Sequence, residues 1–391
     1  MSDHVMTTYN RLPVSFTGGA GAWLTATDGK RYLDALSGIS VCSIGHANPE
    51  LTAALSDQAG KLIHTSNLYQ IPLQEQLAER LCEVSGLDRV FFGNSGAEAN
   101  EAAIKLCRKF AHEQGRNEPV IIVMQGSFHG RTLATLTATG NSKIKLGFDP
   151  LVPGFLEIPY DDITSLRKAA TNGLQVVAVM LEPVQGEGGI RIPAPGYLKQ
   201  VRDACDEFGW LLVLDEIQSG MCRTGRWFAF QHEAVKPDIM TLAKALGNGV
   251  PIGACLANER SAKAMVAGSH GSTFGGNPLA ARAGLTVLHY MTAHHLYERA
   301  EQLGARLLAQ LQAGLHNTSG IRDIRGKGMM LGIELEADCG NLVNLALQKE
   351  LLVNVTAGNV IRLLPPLIID EQESDLIGAR VIEVVQEYLA G

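Results

Sequence analysis

No two cysteines of this chain stand as C-x-x-C, and the seven present (Cys42, Cys82, Cys107, Cys205, Cys222, Cys255, Cys339) are odd in number and widely scattered. That pattern excludes a disulfide framework and zinc-ribbon spacing, and it reads as reduced, small core residues of a cytoplasmic protein. Basic runs are also missing. With a formal net charge of -7, the chain lacks the basic face that nucleic acid or an anionic membrane surface requires. The longest uncharged stretch, residues 264–281, is interrupted by glycines, His270, Asn277 and Pro278, so no spanning helix is expected. The opening residues MSDHVMTTYNRLPVSF hold an early acid and no apolar block, so neither a signal nor a transit peptide is expected. Neither the P-loop pattern G-x-x-x-x-G-K-[ST] nor G-x-G-x-x-G occurs, and Gly18-Gly19-Ala20-Gly21 leads into strand-like sequence rather than a helix. Internal repeats, low-complexity segments and Pro/Ser linkers are absent too.

What is present is a 391-residue chain, 46% hydrophobic and 19% charged, enough for a large core divided over more than one domain. Residues 1–60 mix short strand signals with a glycine-bounded turn at GHANPE and a helix from near Pro49, and are expected to pack with a small domain. Residues 61–274 alternate amphipathic helices with the apolar runs RVFFG, PVIIVMQ, QVVAVMLEP, WLLVLDE and PIGACLA. Apolar runs without period-2 alternation suit strands buried on both faces, so an α/β domain with a mostly parallel sheet and helices on both faces is expected. From 275 to 391, one long helix over Pro278–Leu315, short strands and a last helix read as a smaller α+β domain.

Lys244 is the only charged residue between Asp238 and Glu259, in the run TLAKALGNGVPIGA. Such surroundings favour its neutral amine, the form that attacks carbonyls, which makes it a candidate Schiff-base nucleophile; a stem packed on the protein with its ammonium in water is the plainer alternative. Upstream, the strand RVFFG is followed by Asn94-Ser95-Gly96-Ala97-Glu98 and a helix whose Ala103, Leu106, Cys107 and Phe110 share one face. Small residues at a strand-to-helix turn leave N–H groups free at the positive helix end, a phosphate cradle, although Ser95-x-x-Glu98 is equally a capping box. The strand WLLVL runs into Asp215-Glu216-Ile217-Gln218, placing acids where open α/β sheets bind ligands. Phosphate anchor, acid for a ring nitrogen and amine for an aldehyde are together what pyridoxal phosphate needs.

The segments NSGAEANEAAIK, GSFHGRT, LEPVQGEGG, LDEIQSGMCRTG, LAKALGNGVPIGA, GSTFGGNPLA and RLLPPL resemble, in order and spacing, the class III pyridoxal phosphate aminotransferases. Within them the chain is most similar to those acting on N2-acetylornithine in arginine biosynthesis. The resemblance implies a fold-type I homodimer with interfacial active sites and ping-pong exchange with 2-oxoglutarate. It assigns phosphate to Ser95, Gly96 and Ala97, with Thr273 from the neighbouring subunit, ring stacking to Phe128, the ring nitrogen to Asp215 and the phenolic oxygen to Gln218. Glu216 and Ile217 fall in the same cofactor-binding segment. Lys244 becomes the covalent anchor and proton carrier. Arg131 and Arg362 become carboxylate grips, with Glu187 covering Arg362 when ω-amines bind; Ser272 touches the substrate and Tyr69 lines its entrance. Succinylornithine, N-succinyl-diaminopimelate, ornithine and 4-aminobutyrate remain alternative donors, a decarboxylase or racemase an alternative reaction, and a non-enzymatic binding protein an alternative class. No metal site is expected, His46, His64 and His270 read as structural, and His129 receives no role. Cys222 and Asn248 stand where relatives often carry glycine, away from the chemistry.

Overall fold

The computed structural model describes residues 4–391. Its centre is a seven-stranded sheet in the order Arg89–Gly93, Gly253–Ala257, Ile239–Leu242, Leu211–Asp215, Gln175–Leu181, Pro119–Met124, Phe155–Ile158. Only Gly253–Ala257 runs against the rest. The apolar runs are continuous because both faces are covered: Leu212 and Leu214 enter one core cluster, while Leu211 and Val213, pointing the other way, enter a second. The helix Gly96–Glu113 lies on the second face, burying Ala99, Ala103, Leu106, Cys107 and Phe110.

Two small sheets flank this core. Phe16–Ala20, Trp23–Ala26 and Arg31–Asp34 form one, completed by the distant strand Leu351–Leu352, which pairs in parallel with Arg31–Asp34. Ile321–Lys327, Met330–Leu335, Val360–Leu363 and Asn354–Thr356 form the other, antiparallel throughout.

Two local expectations needed correction. The strands Phe155–Ile158 and Ile239–Leu242 were not marked by the sequence; each has four residues, too few for a period to show, and gains its conformation from its neighbours in the sheet. The expected single helix over 278–315 is two, Pro278–Ala293 and Leu296–Leu315, parted at His295 with φ 48°. The first packs on Pro49–Ala59 and Pro72–Ser85, the second on the C-terminal helix Glu371–Ala390. One straight rod cannot present its apolar stripe to both, so the chain breaks between them.

The parallel strands all deliver their carboxyl ends to one edge of the sheet. Ser95 follows the first strand, Phe128 and His129 follow Pro119–Met124, Glu182 follows Gln175–Leu181, Asp215 ends its strand, and Lys244 follows Ile239–Leu242. That edge is where helix N-termini and loop side chains converge in open α/β sheets.

Candidate active site

A cavity of about 390 Å³ opens at this edge, lined among others by Ser95, Gly96, Ala97, Phe128, Arg131, Asp215, Ile217, Gln218 and Lys244. Its floor starts at the helix Gly96–Glu113. Ser95, in extended conformation, caps the helix by accepting the Glu98 N–H at 3.2 Å. Its hydroxyl hydrogen is thereby left free for an anion. The expected capping box is only half formed, since the Glu98 carboxylate turns to the backbone and side chain of Asn94. At Gly96 a Cβ would lie 2.8 Å from Cδ1 of Ile217. Glycine lets Ile217 press against the turn and leaves the first helical N–H groups bare at the positive end of the dipole.

Asp215 is only 3% exposed. One oxygen accepts from Asn100 Nδ2 and, with the proton on Nδ1, from His129, each at 2.8 Å; the other accepts the Ile217 N–H at 3.1 Å. Thr241 donates at 2.7 Å to the Asn100 oxygen, which fixes the amide so that its nitrogen faces Asp215. Three bonds to a carboxylate leave capacity for one more donor from the cavity side. His129 is itself immobilised, its N–H bonded to Thr139 and its Nε2 buried without a partner.

Lys244 sits at φ 46°, unusual for a residue with a side chain, and opens on the cavity. Burial pulls its pKa below the ordinary 10.5, with Glu187 opposing and Arg362 assisting. Arg362, fully buried, donates from Nε to Asn354 at 3.1 Å and from Nη1 to Gln218 at 3.1 Å and to Glu187. Its Nη2 has no partner. Glu187 keeps about a third of its side chain exposed. Burial raises its pKa, but Arg362, Lys244 and the Thr356 hydroxyl outweigh this and hold it below the ordinary value.

Of the other residues marked by sequence, Arg131 borders the cavity, while Glu216, Ser272, Thr273 and Tyr69 do not line it. Arg131 stands at the rim, its guanidinium 5.6 Å from the Phe128 ring centroid. Glu216 turns away from the cavity to accept from Ser219 and the Phe230 N–H. Ser272, Thr273 and Tyr69 do not line the cavity; Ser272 accepts from Asn94 and the Gly275 N–H, while Thr273 and Tyr69 are exposed. Four residues without an assigned role join the site: Asn100, His129, Thr241 and Glu182. All four lay in marked segments, Asn100 in NSGAEANEAAIK, His129 in GSFHGRT, Glu182 in LEPVQGEGG and Thr241 at the head of TLAKALGNGVPIGA, but none had a role there. Asn248 and Cys222 take φ 46° and 70°, the region glycine prefers. Asn248 also ties Ile44 N–H and Gly45 C=O to the Lys244 loop.

His46 donates from Nε2 to the Asp34 carboxylate at 2.7 Å, and its pKa rises to about 9, chiefly through Asp34 and then Cys42. His64 meets Phe274 edge-on, and His270 stacks on Phe91 beside Lys105.

An amine on the cavity wall, a carboxylate with one acceptor direction spare and a bare helix N-terminus fit pyridoxal phosphate, so the fold and this donor set define a fold-type I pyridoxal phosphate enzyme. The sequence profile of "Aminotransferase class-III" matches residues 5–385. The acetylornithine aminotransferase of Nitrosomonas europaea is 53% identical over 386 residues, 99% of this chain and 98% of that one. That of Methanothermobacter thermautotrophicus is 48% identical over 371 residues, 95% and 93% of the two chains. Among solved structures, ornithine aminotransferase from Toxoplasma gondii superposes with a TM-score of 0.95 at 36% identity, covering 99% of this chain and 93% of its own. N-acetylornithine aminotransferase from Stenotrophomonas maltophilia gives 0.86 at 38%, covering 98% of each. The chain belongs to the class III aminotransferases and uses pyridoxal phosphate.

Proposed function

We propose that this enzyme moves the ω-amino group of N2-acetyl-L-ornithine to 2-oxoglutarate, giving N-acetyl-L-glutamate 5-semialdehyde and L-glutamate, a step of arginine biosynthesis. The observation that carries the reading is Arg362: a fully buried cation with one nitrogen unpartnered and another covered by the partly exposed Glu187. A cover that can leave suits a site that takes two kinds of amine in turn. The full-length relatives named for acetylornithine, at 48% and 53% identity, support the acetylated donor over free ornithine.

When bound, pyridoxal phosphate supplies an aldehyde that takes up the amino group and a ring that withdraws electrons from the substrate carbon. Ser95, Gly96 and Ala97 would hold its phosphate, and Phe128 would pack against its ring. Asp215, held by Asn100 and His129, would pair with the ring nitrogen, and Gln218 with the phenolic oxygen. Lys244 would supply the amine that anchors the aldehyde and would take up and return the substrate's proton at Nζ, a task for the neutral amine that burial favours. For acetylornithine, Arg131 grips the α-carboxylate and Glu187 stays on Arg362. For glutamate, Glu187 swings off and Arg362 takes the α-carboxylate in its planar fork, while Arg131 takes the distal one.

The same reading makes the enzyme a cytoplasmic homodimer; no described helix is long and apolar enough to cross a membrane. Leu62, Ile63, Leu68, Tyr69 and Phe274 are all exposed. They belong to one surface, because Asn67 bonds to Ser272 and Gly275 carbonyls, and Ile63 C=O accepts from Leu279. An apolar patch adjoining Ser272 and Thr273 suits a partner that brings Thr273 to the other subunit's phosphate. The N-terminal segment 1–60, the cofactor domain 61–274 and the small domain 275–391 then divide the protomer, and the pairing of Arg31–Asp34 with Leu351–Leu352 supports joining the first to the third.

Lys244→Ala should lose turnover by several orders of magnitude, since anchor and proton carrier vanish together; retained transamination refutes the mechanism. A panel of acetylornithine, succinylornithine, succinyl-diaminopimelate, ornithine and 4-aminobutyrate, each with 2-oxoglutarate, tests the donor. Acetylornithine should have the highest kcat/KM, and a higher value for any other donor reassigns the substrate.

A further inference from the structure

Glu182 has no part in the chemistry above, yet it is 5% exposed and lines the cavity beside His129 and Asp215. Burial, with a smaller push from Asp215 and against His129, raises its pKa to about 7. Its two oxygens go to two different loops. One accepts the N–H of Phe128 at 2.9 Å, the other the N–H of Gly186 at 3.0 Å. Phe128 is the ring-stacking residue, and Gly186 directly precedes Glu187.

The backbone around Gly186 is fixed from several sides. The Tyr160 hydroxyl donates to the carbonyls of Glu182 and Pro183 at 3.1 and 3.0 Å. Thr356 donates to the Glu187 carbonyl at 2.6 Å. At Gly186 a Cβ would lie 2.2 Å from Oε1 of Gln218, the same oxygen that accepts from Arg362. The loop therefore lies flat against Gln218, and the Glu182 bond fixes the residue that directly precedes Glu187.

We propose that Glu182 is a positioning residue: by clamping Gly186 to the Phe128 turn it sets the pose of Glu187 over Arg362, and so the balance between the amine-donor and glutamate half-reactions. The inference rests on Glu187 acting as the cover of Arg362. Only a carboxylate accepts both N–H groups; glutamine has one acceptor oxygen and must give up one bond, and alanine gives up both.

The test measures kcat/KM of each half-reaction separately by single-turnover absorbance, on holoenzyme carrying Glu182→Gln or Glu182→Ala, and amide hydrogen exchange on the apoenzyme. With Glu187 loosened from Arg362, the ratio of the acetylornithine to the glutamate value should fall about tenfold in the alanine variant, the worth of one hydrogen bond to a charged group. Equal losses in both half-reactions, as a merely structural residue would give, overturn the proposal. Should the alanine variant fail to fold, apoenzyme exchange of the glutamine variant decides: about tenfold faster exchange at Gly186 or at Phe128, whichever N–H the amide leaves unaccepted, supports the clamp, and unchanged exchange at both overturns it. A wild-type enzyme that accepts no amino group from acetylornithine refutes the donor assignment instead, and the ratio is then measured with the donor that the panel ranks first.

Discussion

Two arginines of this molecule are completely buried, and they are used in opposite ways. Arg223 spends its donors on neutral acceptors: Nε on the Ser40 hydroxyl, Nη2 on the Ser43 hydroxyl, and Nη1 on the carbonyls of Met329 and Pro365. Burial lowers its pKa to about 9, still above neutrality, so the cation persists. It touches no carboxylate. What it joins is architecture, since its partners come from the N-terminal segment and from the C-terminal part of the chain. Arg362 has an acid over it and a nitrogen left over. A buried charge whose nitrogens all have partners is a fastening, whereas one left with an unpartnered donor is a place for a ligand.

The contrast is most sharply broken by Arg223→Met. Removing that guanidinium orphans four buried acceptors across three parts of the chain, so the urea midpoint should fall by the equivalent of about 3–5 kcal/mol. A midpoint near that of the wild type would mean that water or neighbours satisfy these groups unaided. Arg362→Ala should cost much less stability, because Glu187 is already partly exposed and can rehydrate. Its effect belongs to catalysis: kcat/KM for glutamate should drop roughly a hundredfold, the worth of a charged fork, with the acetylornithine value changed only severalfold. Equal drops would erase the functional distinction between the two arginines.

The smallest expected effect concerns the segment that supplies Ser40 and Ser43 to Arg223. It is braced nearby by His46 on Asp34, whose folded pKa, about 9, exceeds the ordinary 6.5. A raised folded pKa stabilises fully below pH 6.5, and that contribution is lost as pH climbs through about 9. Wild-type melting temperature should therefore decline over this window by a few degrees, and Asp34→Asn should flatten the slope. Parallel slopes in the two proteins would remove His46 from the account.

Much of the site was legible because its chemistry lies in contiguous segments. Ser95 to Ala97 sit on one turn, Asp215 at one strand end, and Lys244 alone among apolar neighbours; in each case composition and position coincide. Asn100, Thr241, His129 and Glu182 were not read, because their roles exist only between segments. Asn100 matters to Asp215 across 115 positions of sequence, through an amide whose orientation Thr241 sets. Asn248 was set aside as a harmless departure from glycine, yet its side chain ties the Lys244 loop to Ile44 and Gly45. The break at His295 carries neither glycine nor proline, and it is imposed by the two different surfaces that the flanking helices cover.

By itself the sequence determined the alternation of buried strands and covering helices, and the reactive residue types at the strand ends, since hydrophobic period and local charge are written along the chain. Only tertiary structure decided which buried polar group is satisfied and which is left open. Satisfaction depends on partners drawn from remote segments: the resemblance marked Arg362 as a carboxylate grip, but that it keeps a spare donor while Arg223 keeps none is decided only once Met329, Pro365 and Glu187 have been brought beside them.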